Sequence, residues 1–207
     1  MDFNFEELKS KIEIATKKGF KENIQKYGSD ICSFSLISDD GAMTVVPFTN
    51  TKSHLEKMQS EDPKYKDVYE FEPAEWFTSD GANAEFDDIC KTLSLEIDKE
   101  DLDFENFKKT LFETCIEVLE KLRTENFFRK ELGKELLILF SVSDTMESEK
   151  DIIKWGKRLR ACLNSLLPVI QNFKNLDHFK KIYISRYTHH LKVNQNLKLL
   201  NYSSYSL

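Results

Sequence analysis

The chain has 207 residues, of which 40% are hydrophobic and 32% are charged, and it contains only six glycines and four prolines. This composition is that of a globular protein with one large or two small domains, and it excludes collagen-like, low-complexity and wholly disordered chains. The longest apolar run, Leu136 to Phe140, is too short for a membrane span, and the polar N-terminus resembles no signal peptide, so we expect a cytoplasmic protein without a membrane partner.

Charge is distributed unevenly along the chain. The net charge is −6, but residues 61–105 contain sixteen acidic and four basic residues, whereas residues 150–207 contain eleven basic and two acidic residues. The negative total disfavours non-specific nucleic-acid binding, which needs clustered cations. One interpretation is that the two segments neutralise each other or form ordinary solvated faces. Alternatively, the acidic segment presents a negative surface to a basic partner, which would speed association and select that partner.

The N-terminal part predicts a helix followed by a hairpin. Apolar residues at helical spacing indicate a helix over residues 5–26 with a break or bend near Gly19. Two β-favouring segments, 31–37 and 42–48, flank the turn Asp39-Asp40-Gly41 and predict antiparallel strands. A short helix over 52–60 follows, capped by the polar residues before it.

The remaining pattern predicts several helices and one further buried strand. The predicted elements are short extended pieces at 68–71 and 75–78, a helix from Ala84 whose apolar residues include Leu95, a helix over 104–125, a central strand at 136–142, a helix after Ser148, and less regular pieces at 166–173 and 182–185. We therefore expect one α+β domain over residues 1–207, with a mostly antiparallel sheet, an early hairpin packed against amphipathic helices, and a helical, basic extension over 165–207.

No motif predicts a catalytic or metal site. The sequence lacks a phosphate-binding loop, a zinc signature, a nucleophile elbow and an EF-hand, so we assign no catalytic residue, no cofactor and no metal ligand. The four cysteines, at positions 32, 90, 115 and 162, lie apart among apolar neighbours and are predicted to be small buried residues without disulfides.

Aromatic residues between acidic ones predict a protein-binding surface. Tyr69, Trp76 and Phe77 lie in the acidic segment, and aromatic anchors inside a charged rim are typical of interface hot spots. Trp76 is the predicted anchor unless it belongs to the core. The predicted partner-binding residues are Glu70, Glu72, Glu75, Trp76, Asp80, Asp87 and Asp88.

The order of several short motifs carries a family resemblance over roughly residues 1–160. The motifs are the segment 27–36, the turn 38–40, the segment 43–47, Pro73-Ala74-Glu75-Trp76, Asn126-Phe127-Phe128 and a strand that ends in Ser143-Asp144. In this order they resemble an uncharacterised bacterial family known only as a domain of unknown function, although Asn126 replaces the usual glycine. Families of this kind occur beside polymorphic toxin genes, so the resemblance implies an immunity protein and no established catalytic residue.

The leading hypothesis is therefore a non-catalytic immunity protein that binds a cognate protein toxin. Toxins that act on nucleic acid have a basic substrate groove, which suits an acidic inhibitor. Two alternatives stay open: an enzyme with an unrecognised carboxylate or Cys/His site, and an oligomerising structural or regulatory domain, such as a homodimer.

Overall fold

The fold is α+β, as predicted. In the part of the chain that the computed structural model describes, residues 3–143 with Lys154, Trp155, Arg158 and Leu159, six α-helices accompany a three-stranded sheet. The elements are α1 (Phe5–Tyr27), β1 (Ile31–Asp39), β2 (Val45–Thr51), α2 (Lys52–Glu61), α3 (Lys66–Phe71), α4 (Asn83–Ile97), α5 (Phe104–Thr124), α6 (Phe127–Leu132) and β3 (Leu137–Ser143). The pieces predicted at 166–173 and 182–185 and the extension over 165–207 lie outside these residues.

The sheet is mixed, with the strand order β2-β1-β3. The hairpin pair β1–β2 is antiparallel, as predicted, whereas β1 and β3 are parallel, so the expectation of a mostly antiparallel sheet describes only one of the two pairings. Among the described strands β1 is the central one, and the apolar run that becomes β3 occupies an edge instead of the predicted centre. The parallel pairing is possible because the helices between β2 and β3 supply the long crossover that it requires.

One face of the sheet carries the main hydrophobic core. Phe34 on β1 contacts Phe20 of α1, with ring centroids 5.4 Å apart, and Phe140 on β3 contacts Phe112 of α5 at 5.7 Å. Trp155 adds a third ring, 5.9 Å from Phe112 and 5.3 Å from Phe140. The core is therefore formed where α1 and α5 cover the same face of the sheet.

Helix α5 was predicted from the sequence and is the longest described helix after α1. Its apolar stripe is buried at helical spacing, and the Asp103 side chain caps its first turn by accepting a hydrogen bond from the Asn106 amide at 3.2 Å. The stripe is wide enough to contact α1 and β3 at the same time. On its outer side, Arg158 pairs with Glu113 and Glu120, which attaches the helical residues around Trp155 to α5.

The hairpin turn is wider than predicted. Strand β2 begins at Val45 instead of residue 42, because Ala42 has a left-handed backbone (φ 54°) that an extended strand cannot include. Asp39 closes this wider turn: its Oδ1 accepts hydrogen bonds from the amides of Met43 (3.0 Å) and Thr44 (2.7 Å) and from the Thr44 hydroxyl (2.7 Å).

Gly19 does not break α1, which continues to Tyr27. The glycine instead permits a close approach, since a Cβ atom at residue 19 would lie 3.0 Å from the backbone C and O atoms of Gly81. The predicted break was wrong. A glycine in a helix can either weaken the helix or allow another segment to approach closely, and here Gly19 allows the loop before α4 to pack against α1.

Two predictions in the acidic segment were also wrong. Residues 66–71 form α3, and 73–75 form a 3-10 turn, so the extended structure predicted at 75–78 is reduced to Thr78, which bridges to Thr49. Leu95 is 72% exposed, because α4 turns Phe86, Ile89 and Leu93 inward and residue 95 lies about 200° further round the helix than Leu93.

Candidate protein-binding face

The structure distributes the seven predicted partner-binding residues over several elements. Glu70 lies on α3, Glu72, Glu75 and Trp76 lie in or beside the 3-10 turn Pro73–Glu75, Asp80 lies in the loop that follows, and Asp87 and Asp88 lie on α4. They do not form one continuous set of exposed side chains.

Two of the seven are buried. Trp76 is 5% exposed and Glu72 is 8% exposed. The Glu72 carboxylate caps the 3-10 turn by accepting a hydrogen bond from the Ala74 amide at 3.4 Å. Trp76 therefore belongs to the interior, which was the reservation attached to its prediction as an anchor, and neither side chain lies where a partner could reach it.

The two α4 carboxylates lie on different sides of their helix. Asp88 is 3.8 Å from Lys11 Nζ and so lies on the side facing α1. Asp87 lies on the side facing the hairpin: burial raises the pKa of the Cys90 thiol, and Asp87 and Asp39 raise it further. Both aspartates are exposed, but no described contact joins either of them to Glu70 or Glu75.

An aromatic cluster is exposed next to the buried tryptophan. Phe77 is 45% exposed, and its ring centroid lies 5.2 Å from that of Tyr27 and 5.5 Å from that of His54. His54 is fixed in turn, because its Nε2 lies 3.2 Å from the backbone carbonyl oxygen of Glu75. The three rings thus form a continuous surface that joins the end of α1, the start of α2 and the loop after the 3-10 turn.

Acidic residues flank this cluster along the chain, with Glu75 two residues before Phe77 and Asp80 three residues after it. On the neighbouring helix α3, desolvation raises the pKa of the Tyr69 phenol, and the negative charges of Asp62, Glu75 and Glu61 raise it further. The surface formed by Tyr27, His54, Tyr69, Glu75 and Phe77 is called the aromatic–acidic patch below. Its residues come from four parts of the chain, α1, α2, α3 and the segment 75–77, so the patch exists only in the folded protein.

Glu70, on α3, has a different environment. Burial raises the pKa of its carboxyl group, and the neighbouring Asp67 raises it further. Its side chain is half-buried, so we do not assign Glu70 to the exposed surface of the patch.

The backbone around Phe77 is fixed by neighbouring elements. Thr78 exchanges two backbone hydrogen bonds with Thr49, of 2.9 Å and 3.2 Å, which adds a short extended piece to the edge of β2. Because side chains alternate along extended backbone, Trp76 turns inward and Phe77 turns outward. The Asn23 amide then donates to Thr49 Oγ1 at 3.0 Å and to the Asp80 carbonyl oxygen at 2.9 Å, which ties the loop to α1.

The other groups that sequence reasoning tested as chemical sites have structural roles. Asp39 closes the hairpin turn, and Asp40 pairs with Lys108 Nζ at 2.8 Å. Burial raises the pKa values of the thiols of Cys32, Cys90 and Cys115, which makes each less reactive as a nucleophile. Within the described residues, no group of three or more His, Cys, Asp or Glu side chains is arranged to hold a metal ion, and no helix is both long and apolar enough to cross a membrane.

The structure buries the predicted anchor, Trp76, and exposes the neighbouring aromatic residue, Phe77. Sequence reasoning noted Tyr69 and Phe77 and chose Trp76 as the anchor, whereas Phe77 is the exposed ring of the pair. Tyr27 and His54 were missed as members of the surface, because they are distant in sequence and meet Phe77 only through α1 and α2. The alternation of side chains along the extended residues 76–78 was the signal that could have shown that Trp76 and Phe77 point in opposite directions.

A family model described as "Domain of unknown function (DUF4303)" matches residues 12–184, which is most of the chain, so the chain belongs to that family. The match extends beyond residue 160, where the resemblance noted from the sequence ended. No curated protein and no solved structure was found to match the chain. The left-handed backbone of Asn126 (φ 55°) accounts for its place where the resemblance expects a glycine, since asparagine tolerates that conformation better than most residues.

Proposed function

We propose that this DUF4303 protein is a non-catalytic immunity protein, which neutralises a cognate toxin in the cytoplasm by binding it through the aromatic–acidic patch. The observation that carries the proposal is Phe77, which is held 45% exposed between Tyr27 and His54 beside the exposed Glu75. An aromatic ring at the centre of a charged rim is the arrangement found at hot spots of protein interfaces.

The charge of the patch favours a basic partner. The negative charges of Asp62, Glu75 and Glu61 raise the pKa of the Tyr69 phenol, and the whole chain has a net charge of −6. A toxin that cleaves or modifies nucleic acid needs a basic groove for its substrate, so an acidic protein that fits this groove competes directly with the substrate. Neutralisation would then follow from covering the groove, with charge accelerating the encounter of the two proteins.

The test pairs the full chain with the effector domain encoded by the neighbouring gene. We expect co-expression of this chain to rescue growth of cells that produce the effector domain, and the two purified proteins to form a complex. A neighbouring gene without a toxic product, or a toxic product that the chain neither binds nor neutralises, would count against an immunity function. A concentration-dependent mass of the chain alone would instead favour a homodimer.

Two substitutions test the patch itself. Phe77→Ala should weaken the complex at least about thirtyfold, which corresponds to the 2 kcal/mol expected of a hot-spot residue. Glu75→Lys should slow association and flatten its dependence on salt concentration, because the substitution replaces an attractive charge by a repulsive one. Both are measured by surface plasmon resonance over a series of salt concentrations.

Leu95→Ala is the matched control for Phe77→Ala. Leu95 is an exposed apolar residue on α4, 72% exposed, and it takes no part in the patch. Its truncation should leave the affinity within about twofold of the unmodified protein. If Phe77→Ala and Leu95→Ala have equal effects, the patch is not the interface.

A further inference from the structure

We infer that the aromatic–acidic patch recognises an arginine side chain of its partner, whose guanidinium group stacks on Phe77 and pairs with the carboxylates of Glu75 and Asp80. This inference rests on the proposed function and specifies the chemistry of the partner. It depends on three observations about the described residues: an open ring, acceptors without a strong partner, and a complete version of the same arrangement elsewhere in the molecule.

The ring and the acceptors are both accessible. Phe77 keeps 45% of its surface exposed, and no cation of the described residues lies over it. Glu75 uses its backbone carbonyl, not its carboxylate, to contact His54, and within the described part of the chain that carboxylate forms no ion pair. Asp80 has only a distant partner, Lys26 Nζ at 3.9 Å, and both side chains of this pair are about half exposed. A positive group that stacks on Phe77 therefore has an exposed aromatic ring beside it, and the two carboxylates that flank this ring along the chain, those of Glu75 and Asp80, have no close partner among the described residues.

The complete arrangement is found at Phe127. The Nζ atoms of Lys17 and Lys21 lie 6.0 Å and 5.9 Å from the centroid of the Phe127 ring. Each of these lysines also pairs with a carboxylate, Lys17 with Glu13 at 2.6 Å and Lys21 with Glu131 at 3.1 Å. Here the chain supplies the ring, the cation and the carboxylate itself. At Phe77 it supplies the ring and the carboxylates, and the cation is the component left for a partner.

Arginine fits this combination better than lysine. Its guanidinium group is planar, stacks on an aromatic face, is less strongly hydrated than an ammonium group and can donate hydrogen bonds to two acceptors at once. Phe77 provides the face, while Glu75 and Asp80 lie within three residues of it along the chain. Lysine would satisfy the charge but would lose the stacking contact and the paired donors.

The experiment uses the full chain and three short peptides, so it does not depend on finding the toxin. The probes are blocked pentapeptides, Gly-Ser-X-Ser-Gly, in which X is arginine, citrulline or lysine. Binding is followed by NMR through the ring signals of Phe77 and Tyr27. We expect the arginine peptide to saturate these signals in the millimolar range, the neutral citrulline peptide to bind at least about fivefold more weakly, and the lysine peptide to lie between them.

Phe77→Leu separates stacking from simple apolar contact. Leucine keeps an apolar side chain but has no aromatic face, so we expect about a fivefold loss of affinity for the arginine peptide, followed through the Tyr27 ring signals. Binding of the citrulline peptide should change less than twofold. Glu75→Gln should likewise weaken the arginine peptide and leave the citrulline peptide unchanged. The exposed Leu95→Ala variant should affect neither peptide.

The outcomes distinguish this inference from the proposed function. Equal binding of the arginine and citrulline peptides, no binding of any peptide, or an unaffected Phe77→Leu variant would each overturn the inference. Neutralisation of the neighbouring toxin alongside any of these results would leave the immunity function standing. Specific arginine binding without neutralisation of a toxin would reject the immunity function and retain the recognition chemistry.

Discussion

The hairpin tip and the aromatic–acidic patch both place aspartate or glutamate at a turn, yet they use the carboxylates differently. At the tip, Asp39 accepts three hydrogen bonds and Asp40 pairs with Lys108, whose side chain is only 12% exposed. In the patch, Glu75 forms no described ion pair, and Asp80, in the loop that follows, has one described partner at 3.9 Å. A carboxylate at a turn is therefore a candidate for binding a partner only when its oxygen atoms do not already accept the hydrogen bonds and ion pairs that hold the turn together.

Trp76 and Phe77 differ in the same way, since one side chain is used within the fold and the other is exposed. Truncating Trp76 should have the largest effect on the free energy of unfolding of the substitutions considered. Trp76→Ala removes a side chain that is 5% exposed, so we expect it to lower the free energy of unfolding by about 3–5 kcal/mol. Phe77→Ala removes a side chain that is 45% exposed and should cost about 1 kcal/mol or less. Urea unfolding followed by far-UV circular dichroism measures both. Equal losses would mean that Phe77 is a core residue, and the patch would lose its exposed centre.

The hairpin carboxylate should show the next largest effect. Asp39→Ala leaves two backbone amides and one hydroxyl without their acceptor, so we expect a loss of about 2–3 kcal/mol in the same unfolding measurement. Asp80→Ala is the matched control, because its carboxylate is exposed, and its substitution should stay within about 0.5 kcal/mol of the unmodified protein. A large loss for Asp80→Ala would show that its carboxylate is structural as well.

These contrasts also explain which features the sequence could predict. Long amphipathic stripes predicted α1 and α5, because each helix buries one face and the spacing of apolar residues records that face directly. The hairpin was predictable from its turn residues, but the wider turn was not, since it depends on the Asp39 side chain reaching over to Thr44.

Features that depend on tertiary contacts were not predictable from local pattern. The parallel pairing of β1 with β3 joins strands about 100 residues apart. The apolar run of β3 predicts a buried strand, but it does not indicate which strand β3 pairs with or whether the pairing is parallel or antiparallel. The patch has the same property. Phe77 contacts Tyr27 and His54 only because Asn23 and Thr49 hold the loop against α1 and β2. The sequence therefore identifies the acidic segment but does not predict which distant residues join it in one surface.

The half-buried carboxylate of Glu70 differs from those at the hairpin tip and at the patch. Its substitution should have the smallest effect on the free energy of unfolding. Burial raises its pKa above the ordinary value of 4.5, and no hydrogen bond or ion pair of its carboxylate is described. The ionised form is therefore less favourable in the folded protein than in the unfolded chain. The contribution of Glu70 to stability is highest below pH 4.5 and falls as the pH rises from there through the folded-state pKa.

We accordingly expect Glu70→Gln to stabilise the protein at pH 7 by less than about 1 kcal/mol, with the gain disappearing at pH values below about 4. Glu13→Gln is the control of opposite sign. Burial acts to raise the pKa of Glu13, but hydrogen bonds from Lys121 and Lys17 lower it below 4.5, so its substitution should destabilise the protein at pH 7 and that cost should shrink as the pH falls. Urea unfolding of both variants between pH 3.5 and 7 measures the two slopes. Parallel slopes for the two variants would mean that a cation holds the Glu70 carboxylate ionised, as Lys121 and Lys17 do for Glu13, and the description of Glu70 as a half-buried carboxylate with a raised pKa would then be wrong.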